Sequence, residues 1–279
     1  MVSLISGING FLGKHLADTL LREGHHVAGI PRDLFSNTGA LTQYLIMARP
    51  DYIFHLGAYG GQRGQTDIDQ CLATNIFNTY LLLKFSEQLP LKKFVYVGTS
   101  SEYGKKEKMM SESDLLEPLT PYATTKACAS LLTRLFINTV VVRPFSMFGE
   151  GEADWKFIPT VVKALKSGEK IDIRSTPSHD WIYVGDAASA IWSVAKNNLS
   201  GIVNIGSGHQ YTNLEIIKLL EKISKKKLSY TDLITGKPQD SPHWVANISR
   251  LKSINFIQTY GLRCGLKRTY DYYGNEKVS

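Results

Sequence analysis

Val2-Ser3-Leu4-Ile5-Ser6-Gly7-Ile8-Asn9-Gly10-Phe11-Leu12-Gly13 is the stretch whose reading decides the fold. An apolar run of strand length meets three glycines, and Leu12, Leu16, Leu20 and Leu21 then recur at helical spacing towards Glu23. A strand-to-helix turn built on glycine lets the backbone approach a pyrophosphate. The helix beyond it supplies free N–H groups and a partial positive charge. The spacing is Gly-x-x-Gly-x-x-Gly, not Gly-x-Gly-x-x-Gly, and alone it would carry little weight. Its place after a first strand and before an amphipathic helix makes it a dinucleotide turn.

Outward from this turn, strands alternate with helices. His26–Ile30, Tyr52–Leu56, Phe94–Gly98 and Val140–Arg143 read as strands; Leu41 to Ala48, Asp67 to Gln88 and Pro121 to Phe136 read as helices. Strands that are apolar throughout and alternate with helices indicate a parallel sheet covered on both faces. After Pro144 the pattern loosens. Helices are expected from Phe157 to Lys166, Asp186 to Lys196 and Asn213 to Ile223, with short strands at Ile171–Ile173 and Ile202–Ile205 and a mixed tail from Thr235. The expected architecture is α/β: a doubly wound parallel sheet with a smaller, loop-rich C-terminal lobe. Residues 1–149 with about 179–205 would bind the dinucleotide, and 150–178 with 206–279 the substrate.

Composition narrows the class. A hydrophobic share of 43% and a charged share of 20% fit an ordinary soluble globular protein. The net charge of +7 comes from scattered pairs and one triplet of lysines, with no basic and aromatic stripe, so nucleic acid is not an expected partner. The excess would favour anionic substrates. Cys71, Cys128 and Cys264 form no Cys-x-x-Cys, which argues against a disulfide framework or a metal site and for reduced, cytoplasmic thiols. The chain enters its first strand at residue 2, so no signal peptide is expected, and no apolar run has membrane-spanning length.

Tyr122 and Lys126, four apart, share one helix face behind the helix-initiating Pro121. A tyrosine of ordinary pKa near ~10 must fall to about 7 to act as a base, a change of about 4 kcal/mol. A cation at ~4 Å in an effective dielectric of ~20 supplies about that much. Desolvation of the phenolate opposes it. The preceding loop, Thr99-Ser100-Ser101-Glu102, offers Ser100 as the first candidate to hydrogen-bond the reacting oxygen, Thr99 as the second, and Glu102 as a further acid or base. At the end of the second strand, Pro31 stands where an acid would accept from a ribose hydroxyl, and Arg32 follows; this favours NADP(H) over NAD(H), with Asp33 keeping NAD(H) open.

These segments resemble the extended short-chain dehydrogenase/reductases, specifically the nucleotide-sugar epimerase/dehydratase family. The glycine turn with Asn9, Phe11 and Leu12 is similar to that family's cofactor loop. Leu56-Gly57-Ala58, Asn75 and Pro144 resemble its other cofactor contacts, and Tyr122 with Lys126 its catalytic pair. Ser101, Phe145, Ser146 and His179 fall at its substrate contacts. The resemblance implies a Rossmann fold and bound NAD or NADP. It also implies a nucleoside-diphosphate sugar as substrate, hydride transfer at a sugar carbon, commonly C4, with Tyr122 moving the proton, and a homodimer through helices 67–88 and 121–136. A 4-keto-sugar reductase or 4-epimerase is expected, with a 4,6-dehydratase or a non-catalytic relative as alternatives. Three departures stand out. The usual third strand has no room between Pro31 and Tyr52, His179 replaces an arginine, and Ser101 replaces the acid of the dTDP-glucose-type dehydratases.

Overall fold

The computed structural model describes residues 1–233, 241 and 243–275. Its centre is a six-stranded parallel sheet in the order β2-β1-β3-β4-β5-β9: β1 Val2–Ser6, β2 His26–Ile30, β3 Tyr52–His55, β4 Lys93–Val97, β5 Thr139–Pro144 and β9 Gly201–Ile205. Successive side chains leave opposite faces of a strand, which divides the sheet's apolar residues between two cores. Ile5, Phe54, Val95, Val142 and Val203 join Leu16 and Leu20 of α1 (Phe11–Arg22) and Ile191 of α7 (Val184–Lys196). Leu4, Ile53, Phe94, Val141 and Ile202 join Leu41 and Leu45 of α2 (Thr38–Ala48) and Leu81 and Leu82 of α4 (Asn78–Ser86). This is the doubly wound Rossmann-type arrangement expected from the uninterrupted apolar strands.

No strand is described between Ile30 and Tyr52. A 3-10 turn, Arg32–Ser36, leads straight into α2, so β2 is the sheet edge. The Tyr44 hydroxyl of α2 donates to the Gly29 carbonyl at 2.7 Å and covers part of that edge. The helix expected over 67–88 is one run with an inserted π turn: α3 (Ile68–Cys71), the π turn Leu72–Phe77, then α4. Helix α5 (Pro121–Thr133) stops short of Phe136, and the left-handed Asn138 (φ 53°) turns the chain into β5.

Above the sheet's carboxyl edge lies a smaller layer. A three-stranded sheet, β10-β8-β6, is formed by β6 Ser146–Phe148, β8 Ser178–Tyr183 and β10 Gln210–Thr212. A parallel pair joins β7 (Ile171–Ile173) to β11 (Tyr230–Asp232). Helices α6 (Phe157–Ser167), α8 (Asn213–Ser224), α9 (Ser249–Lys252) and α10 (Gly261–Asn275) complete the chain. Two buried carboxylates tie its late segments down. Asp180 accepts from the backbone of Ser207 (2.6 Å), Gly208 (3.0 Å) and Ala246 (3.0 Å). Asp186 accepts from Thr259, Tyr260 and Gly261 at the start of α10. Of the lobe expected over 206–279, residues 234–240, 242 and 276–279 lie outside the described residues. Among the described residues, no helix is long and apolar enough to cross a membrane.

Candidate active site

The sheet order reverses between β1 and β3, the place where an open α/β sheet leaves a crevice at its carboxyl edge. The glycine turn and the start of the β3 loop meet there. Gly7 has φ +74°, and a Cβ on it would lie 3.0 Å from the Gly57 nitrogen. A Cβ on Gly13 would lie 2.2 Å from the Gly7 carbonyl oxygen, so helix and loop close only with glycine. Gly10 caps α1 without a side-chain acceptor, and the first turn holds no acid. The N–H groups there are left for an anion.

A cavity of about 630 Å³ runs over this turn and along the carboxyl ends of the strands. Gly7, Gly10, Phe11, Leu12, Gly13, Arg32, Leu56, Gly57, Ala58, Tyr122, Lys126 and Pro144 all line it, as expected from the sequence. Two expected cofactor contacts do not. Asn9 is exposed on the loop, outside the lining. Asn75, in the π turn, is buried; it accepts from Tyr59 N–H and donates to the Tyr59 carbonyl and to Thr125 Oγ1, each at 2.8 Å. It positions the β3 loop against α5, both of its N–H groups are used there, and it does not line the cavity. The residues present fit a dinucleotide, because the glycine cradle is closed to any side chain and the helix end above it is bare.

Beneath the cradle runs a buried hydrogen-bond chain. Ser6 Oγ accepts from the N–H groups of Leu56 (3.1 Å) and Gly57 (3.0 Å) and so donates to His55 Nδ1 at 2.5 Å. His55 Nε2 then donates to Thr79 Oγ1 at 2.9 Å, whose own hydroxyl donates to the Asn75 carbonyl. The tautomer follows from this network. Burial holds the His55 imidazole down at about 3, with the Lys126 charge adding to the effect. The unfolded chain, titrating near ~6.5, binds one more proton between pH 6.5 and 3, so stability falls as pH drops through that window. From pH 6.5 to 5 the loss is about 2 kcal/mol. Urea midpoints at pH 7 and 5 measure it, and His55→Gln should flatten the slope.

A second cavity, about 370 Å³, adjoins the first; Thr99, Phe145 and Ser146 line both. Ser100, Ser101 and His179 line the second only, with Trp244 and Thr120. Tyr122 lines the first cavity, against the Gly60-Gly61 backbone and hydrogen-bonded to Thr99 at the junction; a Cβ on Gly61 would be 3.8 Å from its hydroxyl oxygen. Burial pushes the phenol up to about 12, the Glu102 charge adds to the rise, and a hydrogen bond with the Thr99 side chain opposes it. Lys126 is not among the groups that shift the Tyr122 phenol. Lys126 Nζ donates to the Val97 carbonyl at 2.7 Å and sits 4.3 Å from the centre of the Tyr96 ring, and burial brings it down to about 8.

Glu102 does not face either cavity. It is fully buried, accepts from Thr99 N–H at 2.8 Å in a capping box, and pairs with the buried Arg143 at 2.7 Å. Sequence reasoning missed Glu152 and Lys156, which line the first cavity beside Trp181. Burial raises the Glu152 carboxyl to about 8, with Lys156 opposing. Their four-residue spacing just after the β5 exit was the available signal.

The model of the NAD dependent epimerase/dehydratase family matches residues 3–206. The chain belongs to that family. Its members are enzymes, and the Rossmann layer and Tyr-Lys pair place this chain among them. A Bacillus subtilis (strain 168) protein described as an uncharacterized UDP-glucose epimerase is 29% identical over 98% of both chains. The UDP-glucuronate 4-epimerase of Thermodesulfobacterium geofontis (strain OPF15) is 26% identical over 96% of this chain and 95% of its own. The solved UDP-glucuronic acid 4-epimerase from Bacillus cereus, in complex with UDP-glucuronic acid and NAD, superposes with a TM-score of 0.85 at 28% identity, covering 98% of this chain and 99% of that one.

Proposed function

We propose that this enzyme is an NAD(P)-dependent 4-epimerase of a nucleoside-diphosphate sugar, with a UDP-sugar as the first candidate. The observation that carries the reading is the junction of the two cavities. Tyr122 and the Thr99 hydroxyl stand together there, and the catalytic loop presents no carboxylate, because Glu102 is spent on Arg143 and Thr99 N–H. Eliminating water from a sugar calls for an acid in that loop, so a 4,6-dehydratase is disfavoured. The names of the similar 4-epimerases support the same choice.

In this reading residues 1–149 with about 179–205 hold the dinucleotide, and 150–178 with 206–279 the sugar nucleotide. The glycine turn and the N-terminus of α1 hold the pyrophosphate, Arg32 the adenosine end, and Tyr122, Lys126 and Pro144 the nicotinamide end. The bound nicotinamide supplies hydride acceptance and return. Tyr122 takes and gives back the proton of the sugar hydroxyl, and Thr99 rather than Ser100 donates to the reacting oxygen. Thr99 Oγ1 accepts from Ser101 N–H at 3.2 Å and hydrogen-bonds Tyr122, so its one proton would turn from the phenol oxygen to the reacting oxygen when substrate binds. The sugar occupies the second cavity, against Ser101, Phe145, Ser146 and His179.

Incubation with UDP-glucose or UDP-glucuronic acid should give the 4-epimer without net change in dinucleotide absorbance. Net consumption of reduced dinucleotide would assign a reductase instead.

Arg32 lines the cavity with no acid at the end of β2, which supports acceptance of a 2′-phosphate; the similar solved epimerase carries NAD. Arg32→Ala should weaken NADP(H) binding about tenfold, as expected for about 1.4 kcal/mol from an exposed charge-assisted contact, and leave NAD(H) binding unchanged. Fluorescence titration with both dinucleotides reads the difference.

The homodimer is proposed through the run 68–86 and α5. Ile68, Phe77 (55% exposed), Tyr80 and Leu131 (50% exposed) leave large apolar side chains on those helices open to solvent. Phe77→Asp combined with Leu131→Asp should convert a dimer to a monomer in sedimentation velocity. A wild-type protein that sediments as a monomer would remove this part of the reading.

A further inference from the structure

We propose a second anion-binding site, for an oxyanion of the phosphate class, at the amino edge of the sheet between Lys93 and Arg134. Every group of the active site stands at the carboxyl ends of the strands. Lys93, Thr139 and Gly201 are instead the first residues of β4, β5 and β9, at the opposite edge. A cavity of about 470 Å³ opens there, lined by Lys93, Arg134, Asn138, Thr139, Asn198 and Ser200.

Lys93 is the unusual member. It is only 3% exposed, yet no carboxylate lines the cavity, and among the described residues neither Lys93 nor Arg134 has an ion-pair partner. The lysine stem is buried while its ammonium keeps contact with the cavity, so a cation with no carboxylate beside it faces space that an anion can enter. Burial alone lowers its pKa, with no opposing charge. At the nearby helix end the one Thr139 hydroxyl proton is shared between the Thr133 and Phe136 carbonyls at 2.9 Å, and among the described residues neither carbonyl accepts from Lys93.

The rest of the wall suits an oxyanion. Asn138 and Asn198 both take left-handed φ of 53°, which turns the chain at the cavity rim. Arg250 donates to the Ser200 and Ile202 carbonyls, fixing the Ser200 turn and bringing a third guanidinium or ammonium charge alongside. Two cations flanked by amide and hydroxyl donors recognise phosphate or a diphosphate group by charge and hydrogen bonding. The volume admits either, with water. Helix α5 reaches this edge at Arg134 and carries Tyr122 and Lys126 at its other end, so a ligand here would brace an element of the active site.

The test is titration of inorganic phosphate and of pyrophosphate into the protein saturated with dinucleotide, at constant ionic strength, read by calorimetry and by melting temperature. A ligand of the folded state raises the melting temperature saturably. Lys93→Met and Arg134→Gln should each weaken binding about tenfold or more, and Lys93→Met without ligand should melt no lower than the wild type. Tighter pyrophosphate would point to a diphosphate-bearing ligand and equal affinities to free phosphate; both support the site. Absence of saturable binding, or unchanged binding in both variants, overturns it. Should Lys93→Met fail to fold, Arg134→Gln, at an exposed position, decides alone. None of these outcomes depends on which sugar the active site takes.

Discussion

Replacing Tyr122 with phenylalanine lowers kcat by about a thousandfold or more, the upper part of the range for loss of a general acid–base group, and leaves dinucleotide affinity unchanged. The ring keeps its packing against Gly60 and Gly61, and only the hydroxyl at the junction of the two cavities is lost. The neighbouring hydroxyls should then rank. Thr99→Val removes the donor beside Tyr122, and a loss of about a hundredfold is expected, the scale of a single donor aimed at developing charge. Thr99→Ser retains both that hydroxyl and the cap on Ser101 N–H and should restore most of the rate. Ser100→Ala, in the second cavity, should cost far less. The reverse ranking would return the role to Ser100. Dinucleotide fluorescence titration and single-turnover rates, measured on the same preparations, separate binding from chemistry.

The same residues show what a sequence can disclose. Gly7 and Gly13 were legible because a left-handed φ at the one and a Cβ contact of 2.2 Å at the other favour glycine alone, whereas a Cβ on Gly10 would meet only the Gly7 carbonyl, at 3.1 Å. Tyr122 and Lys126 were legible as a cavity-lining pair because residues four apart share one helix face. The central sheet was legible because its strands are buried on both sides and read as unbroken apolar runs. What was lost depends on partners far away in the chain. Asn75 looks like a cofactor contact until Tyr59 and Thr125 consume its amide. Glu102 looks like an acid in a catalytic loop until Arg143, on β5, claims it. The choice between Thr99 and Ser100 turns on which way a 3-10 turn faces, and adjacent hydroxyls carry no periodicity that could reveal it. The π turn at Leu72–Phe77 leaves no mark in helix propensity, and Glu152 and Lys156 show in sequence only as a four-residue spacing, with nothing to say that they reach the cavity wall.

The buried pair beneath the catalytic loop yields the other large effect. Glu102 and Arg143 are both 0% exposed, 2.7 Å apart, and Arg143 lies over the Tyr103 ring at 4.6 Å. Glu102→Gln preserves shape but turns one of two accepting oxygens into an NH2 that faces a donor, Thr99 N–H or Arg143 Nε, and leaves the guanidinium without its counter-charge, which should destabilise the fold by about 3–5 kcal/mol. Against a typical total of about 5–15 kcal/mol, urea unfolding will register this as a large drop in midpoint. Replacing both partners, Glu102→Gln with Arg143→Met, removes the stranded charge and should recover much of the loss, because apolar substitution of a buried pair is often close to neutral. Such recovery marks a positioning residue, whereas a carboxylate that touched substrate would give normal stability and a kcat defect the second change could not repair. A further signature lies in the pH profile. The Glu102 charge is one of the causes holding the Tyr122 phenol up, after burial. Neutralising it should shift the rising, acid limb of kcat, set by Tyr122 as base, to lower pH in Glu102→Gln and in the double variant alike, while stability returns only in the double variant.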